Sequence, residues 1–235
     1  MSKNFFEIAT HFINKNFPNC EGALLAGSVV RGESTDTSDL DIVILDSKIK
    51  TAYRESFMYS DIPIEAFVHS ETTIRGFFKS DAGRARPSLP KMVSEGIFLR
   101  ECDLLIELKS EAADLLKSGP VPWDAKEIDF ARYFITDLLD DFIGCTNSNE
   151  LIFITGSLAE KSHEFYLRTN QQWIGQSKWI FRALKNFDGG FADEFAIIFD
   201  EFYKTREKEK VVQLVERILE PLGGRLLDGF SVGKN

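Results

Sequence analysis

Two aspartates stand one residue apart at the start of an apolar run. Asp39 and Asp41 lead into residues 42–45, Ile-Val-Ile-Leu, which have the composition of a buried strand. Alternate residues of a strand point to the same face, so the sequence predicts that the two carboxylates project together. Paired hard oxygen ligands suit Mg²⁺, which proteins usually hold with one or two carboxylates and the phosphates of a substrate.

A Gly-Ser pair precedes these aspartates. Gly27 and Ser28 follow residues 22–26, a short apolar segment typical of a buried strand. A turn of this kind can offer backbone N–H groups and a hydroxyl to phosphate oxygens. A metal site next to such a turn points to phosphoryl or nucleotidyl transfer. Two plainer readings stay open, because Ser-Asp-x-Asp also opens strands as a solvated turn and Ser28 is also suited to be a helix N-cap.

The segments around this stretch are predicted to be a mixture of strands and helices. We expect an amphipathic helix within residues 1–18, strands at 22–26, 39–45 and 62–68, a loop or short helix at 48–59, helices at 72–79 and 91–97, and a strand end running into a helix at 104–116. Pro63 favours an edge strand or the start of a strand.

The pattern becomes helical after a Pro- and Gly-containing linker at residues 117–122. Helices are expected near residues 128–142, 151–167, 172–184, 191–204 and 207–219, with Gly-rich stops at 188–190 and 221–224. The sequence therefore predicts an α+β fold in which a sheet with flanking helices is followed by a helical bundle, with the boundary near residue 120.

Composition narrows the class of protein. The chain has 235 residues, 43% of them hydrophobic, and a net charge of −9. The acidic balance argues against nucleic-acid binding, which normally needs a basic surface. Three cysteines without a C-x-x-C pair predict reduced thiols rather than a disulfide framework or a zinc site. We expect a cytoplasmic protein without a membrane partner, because no signal peptide or spanning segment is evident.

The motif stretch resembles the signature of the nucleotidyltransferase (DNA polymerase β-like) superfamily. The resemblance rests on Gly27-Ser28, Arg31-Gly32 and Ser38-Asp39-Leu40-Asp41 in that order and spacing. Within the superfamily the chain is most similar to the small antibiotic-adenylylating enzymes. The resemblance implies a nucleotidyltransferase-type mixed sheet as the catalytic domain over residues 1–118, and a helical substrate-binding domain over residues 123–235.

The resemblance also implies roles for individual acidic residues. Asp39 and Asp41 would hold Mg²⁺, with two ions expected. Glu65 would supply the third carboxylate, because it interrupts an otherwise apolar strand. The family more often has Asp at this place. An edge-strand carboxylate facing water is the plainer reading of Glu65.

Contacts to a nucleoside triphosphate follow from the same resemblance. ATP or another nucleoside triphosphate would be held by Gly27, Ser28, Arg31 and Ser38. In the helical region Lys178, Arg182 and Lys185 share one helical face by their spacing. Lys178 and Arg182 are candidates to grip the triphosphate, with a solvated surface stripe as the alternative. For Lys185 we favour the surface stripe.

The function that the resemblance implies is Mg²⁺-dependent transfer of a nucleoside monophosphate, with AMP from ATP as the expected donor group. The acceptor would be a hydroxyl of a small molecule such as an aminoglycoside or lincosamide antibiotic, which would make the protein an antibiotic resistance enzyme. The alternative is a nucleotide-binding antitoxin-like or regulatory protein that acts on a protein partner. The nucleotide, the acceptor, the general base and the formation of a homodimer stay open.

Overall fold

The structure is a computed structural model that describes residues 4–233. The chain divides into two compact units, Met1–Gly119 and Pro120–Asn235. The first unit contains a mixed five-stranded sheet with helices, and the second is helical. The predicted α+β class is therefore confirmed.

The first unit is built from four helices and five strands among the described residues. Its elements are α1 (Phe5–Asn16), β1 (Gly22–Ala26), β2 (Leu40–Leu45), β3 (Tyr53–Tyr59), β4 (Ile62–His69), α2 (Glu71–Gly83), α3 (Ser88–Glu95), β5 (Ile97–Arg100) and α4 (Asp103–Ser118). The strand order is β3-β4-β2-β1-β5. β2 and β4 are parallel, whereas the other neighbouring pairs are antiparallel.

The central strands are covered on both faces. On one face Ile42 and Ile44 pack with Phe12 of α1. On the other face Leu24 and Val43 belong to the hydrophobic cluster that contains residues of α2, α3 and α4. Strands buried on both faces have continuous apolar sequences, which explains why β1 and β2 are evident from the sequence.

The expectation of a loop or short helix over residues 48–59 is wrong. β3 occupies Tyr53–Tyr59 at an edge of the sheet, and most of its residues are exposed. Ser60 and Asp61 then connect it to β4, with φ values of 51° and 59°. Positive φ at both central residues is characteristic of the two-residue turns that join antiparallel strands. An exposed edge strand lacks the apolar alternation by which strands are recognised.

Other boundaries also differ from the predictions. β5 was not predicted, and residues 104–116 lie entirely within α4 instead of beginning as a strand. α3 begins and ends before the predicted 91–97. Pro63 is the second residue of β4, which lies between β3 and β2. Of the two positions predicted for this proline, the strand start is therefore right and the edge strand is wrong.

The second unit contains five α-helices and a 3₁₀ turn among the described residues. These are α5 (Ala125–Gly144), α6 (Ser148–Thr169), α7 (Trp179–Phe187), α8 (Gly189–Thr205), α9 (Glu209–Leu219) and the turn Glu220–Leu222. α7 is shorter than the predicted 172–184, because residues 172–178 form a non-helical segment. Within residues 4–233, no helix combines the length and apolar character needed to cross a bilayer.

Candidate metal centre

Three carboxylates, those of Asp39, Asp41 and Glu65, converge at one end of the sheet. Each offers an oxygen, and these oxygens lie within 4.8 Å of one another. The parallel register of β2 and β4 makes Asp41 the partner of Glu65. Asp39 lies two residues before Asp41, next to the first residue of β2. The structure thus brings together the three acidic residues singled out in the sequence, which we call the acidic cluster.

The Gly27 turn reaches the same end of the sheet. Ala26 pairs with Asp41 across β1 and β2, so the chain leaves β1 beside the cluster. Gly27 has a φ of +79°, and a Cβ atom added there would lie 2.1 Å from Oδ2 of Asp41. Glycine is required here for two reasons, the left-handed backbone and the close approach of the carboxylate.

The carboxylates of the acidic cluster repel one another. Burial, and then the charges of Asp39 and Glu65, raise the pKa of Asp41 to about 6, while Arg54 and Arg31 act in the opposite direction. Closely spaced carboxylates disfavour each other's ionised form unless cations neutralise them. The site therefore favours a bound proton or a bound cation.

A basic residue that the sequence did not suggest also lies at the cluster. Arg54 of β3 forms an ion pair with Glu65. Its guanidinium carbon also lies 5.0 Å from the centre of the Phe67 ring. Arg54 was missed because its strand was missed. The Ser60-Asp61 pair directly before β4 is a turn signal, although a weak one, that could have indicated a hairpin partner at this place.

The acidic cluster has the donors that a hard divalent cation needs. The side chains of Asp39 and Asp41 have no hydrogen bond or ion pair with any residue in the range 4–233. Carboxylate oxygens are ligands that Mg²⁺ and Mn²⁺ accept. Glu65 is the exception, because its carboxylate already pairs with Arg54. The three residues therefore fit a divalent cation, and Glu65 is the ligand that the cation would share with Arg54.

Ser28 and Ser38 connect the two halves of the motif. The Ser28 hydroxyl donates to Oγ of Ser38 at 3.4 Å. Oγ of Ser38 also accepts a hydrogen bond from the backbone N–H of Thr35 at 2.8 Å. Residues 28–32 form turns and no helix follows them, so the reading of Ser28 as a helix N-cap is wrong. The two hydroxyls order the loop between β1 and β2, and their contact with a phosphate stays a prediction.

Arg31 is held by carboxylates of its own unit. Its guanidinium pairs with Glu33 and with Glu95 at the end of α3, each at 3.1 Å. Glu95 is another residue that sequence reasoning missed. A role for Arg31 in phosphate binding would require it to share or leave these partners, and that role stays a prediction.

Lys178 and Arg182 belong to the second unit. Lys178 is the N-cap residue of α7. The guanidinium carbon of Arg182 lies 4.6 Å from the centre of the Trp179 ring, and Nζ of Lys185 lies 5.5 Å from that of Phe181. Each basic group is therefore attracted by the face of an aromatic ring within its own helix. The expected contact of Lys178 and Arg182 with a triphosphate stays a prediction.

No family model matches the chain, and no curated protein matches it. Among solved structures, the chain is similar to a nucleotidyltransferase-like protein from Exiguobacterium sibiricum 255-15. The TM-score is 0.48 and the sequence identity 11%, over 92% of this chain and 73% of that one. At this level of likeness, functional inference depends on the side chains of the site itself.

Proposed function

We propose that the protein is a Mg²⁺-dependent nucleotidyltransferase that transfers AMP from ATP to a hydroxyl group of a small molecule. The observation that carries this proposal is the convergence of Asp39, Asp41 and Glu65 beside the Gly27-Ser28 turn. Divalent cations would neutralise the mutual repulsion of these carboxylates, and a Gly-Ser turn next to them suits a polyphosphate.

The chemistry follows from the ligands that would hold the ions. Asp39 and Asp41 would contribute to two Mg²⁺ sites, and Glu65 would complete the one nearer the acceptor. Paired divalent ions stabilise the charge on the attacking and leaving oxygens of an in-line displacement. The chain's own residues would position the reactants, since Gly27 and Ser28 would hold the β- and γ-phosphates that leave as pyrophosphate.

A polyhydroxylated antibiotic, either an aminoglycoside or a lincosamide, is the acceptor class that we propose. The net charge of −9 is compatible with a cationic acceptor. The helical second unit would provide the acceptor site. The resemblance of the motif to the antibiotic-adenylylating enzymes supports this choice.

Pyrophosphate release tests the proposal. The protein is incubated with Mg²⁺, each of the four nucleoside triphosphates and a panel of aminoglycosides and lincosamides, and labelled products are separated. We expect release with ATP and at least one acceptor, and none from Asp39→Asn or Asp41→Asn. Asp36→Asn, an exposed residue of the same loop, serves as the matched control and should be active.

Two results would count against this proposal. Absence of pyrophosphate release with every pairing, from protein with a cooperative unfolding transition, would contradict nucleotidyl transfer. Labelling of a protein tyrosine instead of a small molecule would replace the antibiotic acceptor by a protein partner.

A further inference from the structure

We infer that the guanidinium of Arg54 is a counter-cation for the acidic cluster. In the metal-free protein Arg54 pairs with Glu65, and it must release Glu65 when a divalent ion binds there. This inference rests on the proposed function, because it concerns the same cluster. It adds a residue outside the motif that sets the affinity for the ion.

The register of the sheet places Arg54 at the cluster. Ser56 of β3 is the partner of Glu65, and Arg54 is the partner of Phe67. Residues two apart on a strand share a face, so Arg54 is the diagonal neighbour of Glu65. A long side chain spans such a diagonal, and the ion pair between Arg54 and Glu65 is its result.

Arg54 is placed so that it can move. Its side chain is 56% exposed, whereas that of Glu65 is 21% exposed. Its guanidinium lies over the Phe67 ring, which keeps it near the sheet without enclosing it. Because Arg54 is the exposed member of the pair, its guanidinium can turn into solvent when a divalent ion takes over the oxygens of Glu65.

Arg54 is also the basic residue that reaches the cluster directly. Within residues 4–233, it is the one basic side chain that forms an ion pair with Asp39, Asp41 or Glu65. Arg31 pairs with Glu33 and Glu95, which lie outside the cluster. Asp39 and Asp41 form no ion pair within the described residues, so Arg54 and Arg31 act on Asp41 only through electrostatic attraction at longer range. Glu65 is the ligand for which Arg54 and the divalent ion compete.

Competition should weaken metal binding. A guanidinium and a divalent ion repel each other, and both use the oxygens of Glu65. Removing the positive charge of Arg54 should therefore tighten binding of the ion. For a unit charge about 6 Å from a divalent ion in a solvent-like dielectric, Coulomb's law gives an effect of about tenfold in affinity.

Mn²⁺ binding to the purified full chain tests this inference without any turnover. Free Mn²⁺ is titrated by electron paramagnetic resonance, with isothermal calorimetry as a second method. Arg54→Gln should bind Mn²⁺ about tenfold more tightly than the wild type, and Arg54→Lys, which keeps the charge, should resemble the wild type. Arg217→Gln is the matched control, because Arg217 is 52% exposed and pairs with Glu194 in the second unit.

A double variant and a stability measurement complete the design. In Glu65→Gln, the further change Arg54→Gln should tighten binding less than it does in the wild type, because the competition for the oxygens of Glu65 is gone and only the repulsion between Arg54 and the ion is removed. In EDTA, Arg54→Gln should unfold at a lower temperature than the wild type, and Mn²⁺ should raise its midpoint by more than it raises that of the wild type.

The outcomes separate this inference from the proposed function. If the wild type binds Mn²⁺ and Arg54→Gln binds it equally or more weakly, the counter-cation role is overturned while the metal site stands. If Arg54→Gln and Arg54→Lys both bind Mn²⁺ more tightly than the wild type and by the same factor, the effect comes from lost packing over Phe67. That result would also overturn the counter-cation role. If neither the wild type nor any variant binds Mn²⁺ at millimolar concentration, both the inference and the metal-dependent function fail.

Discussion

The carboxylate of Asp41 lies against the backbone of Gly27, in space that a Cβ atom would otherwise fill. The distance from that Cβ position to Oδ2 of Asp41 is 2.1 Å, far below any van der Waals contact. Two adjacent strands thus fix the position of one carboxylate. The motif glycine serves the acidic cluster as well as the turn.

Gly27→Ala should displace Asp41 and reduce nucleotidyl transfer by about a hundredfold or more, because an error of about 1 Å at reacting groups has effects of this size. Gly32→Ala is the matched control, since Gly32 also has a positive φ of 71° but no atom within 4 Å of a Cβ position. Both variants should lose about 1–2 kcal/mol of stability from the left-handed backbone. Steady-state kinetics and urea unfolding measure the two effects. Equal activity in both variants would contradict the role of the Gly27 contact.

Asp41→Asn should stabilise the metal-free protein while it abolishes transfer. The pKa of Asp41 is raised to about 6 by burial and by its acidic neighbours. Its ionised form therefore weakens the fold at neutral pH when no cation is bound. After allowance for solvent screening, we expect a gain of about 1 kcal/mol in the free energy of unfolding in EDTA at pH 7.5. Asp36→Asn should change neither stability nor rate, and a loss of stability in Asp41→Asn would be inconsistent with this account.

Ser28→Ala should raise KM for ATP by about tenfold, the typical effect of one hydrogen bond to a charged group. Its hydroxyl also donates to Ser38 across the loop, so a modest change in stability is expected as well. Ser34→Ala, an exposed change in the same loop, provides the comparison in the same kinetic assay. An unchanged KM in Ser28→Ala would remove this hydroxyl from the phosphate site.

His69 should make the protein less stable in mild acid. It lies at the end of β4, is 4% exposed, and burial lowers its pKa to about 4. The unfolded chain then binds more protons than the folded one between about pH 6.5 and 4, so stability falls as the pH falls through this window. The loss reaches about 3 kcal/mol at most.

Urea unfolding at a series of pH values between 7.5 and 4.5 measures this contribution. His69→Gln should flatten the decline relative to the wild type. Ser34→Ala, an exposed change that removes no titratable group, is the control and should follow the wild-type curve. Parallel curves for the wild type and His69→Gln would show that His69 does not titrate as expected.

The sequence was most informative where burial is two-sided and least informative at the sheet edges. β1 and β2 are continuous apolar runs because helices cover both faces, so their location follows from composition. β3 exposes most of its residues and β5 has only four, so neither gives a periodic signal. The boundaries of α7 were also missed, because the segment before it is non-helical despite helix-compatible residues.

In the candidate site, some residues are evident from the sequence and others are brought together only by folding. Asp39 and Asp41 lie in one short motif, and Glu65 interrupts an apolar strand, so all three are visible as residue types. Arg54 and Glu95 reach the site region from elements that pair or pack only in the folded chain. Their partners depend on strand register and on the placement of α3. A single sequence gives neither directly.

The acidic cluster is the proposed binding site for divalent cations. Anomalous diffraction from crystals soaked with Mn²⁺ and a non-hydrolysable ATP analogue tests it most directly. We predict anomalous peaks between Asp39, Asp41 and Glu65, with the triphosphate at the Gly27-Ser28 turn. Absence of manganese at these carboxylates in crystals that contain the bound nucleotide would contradict the account.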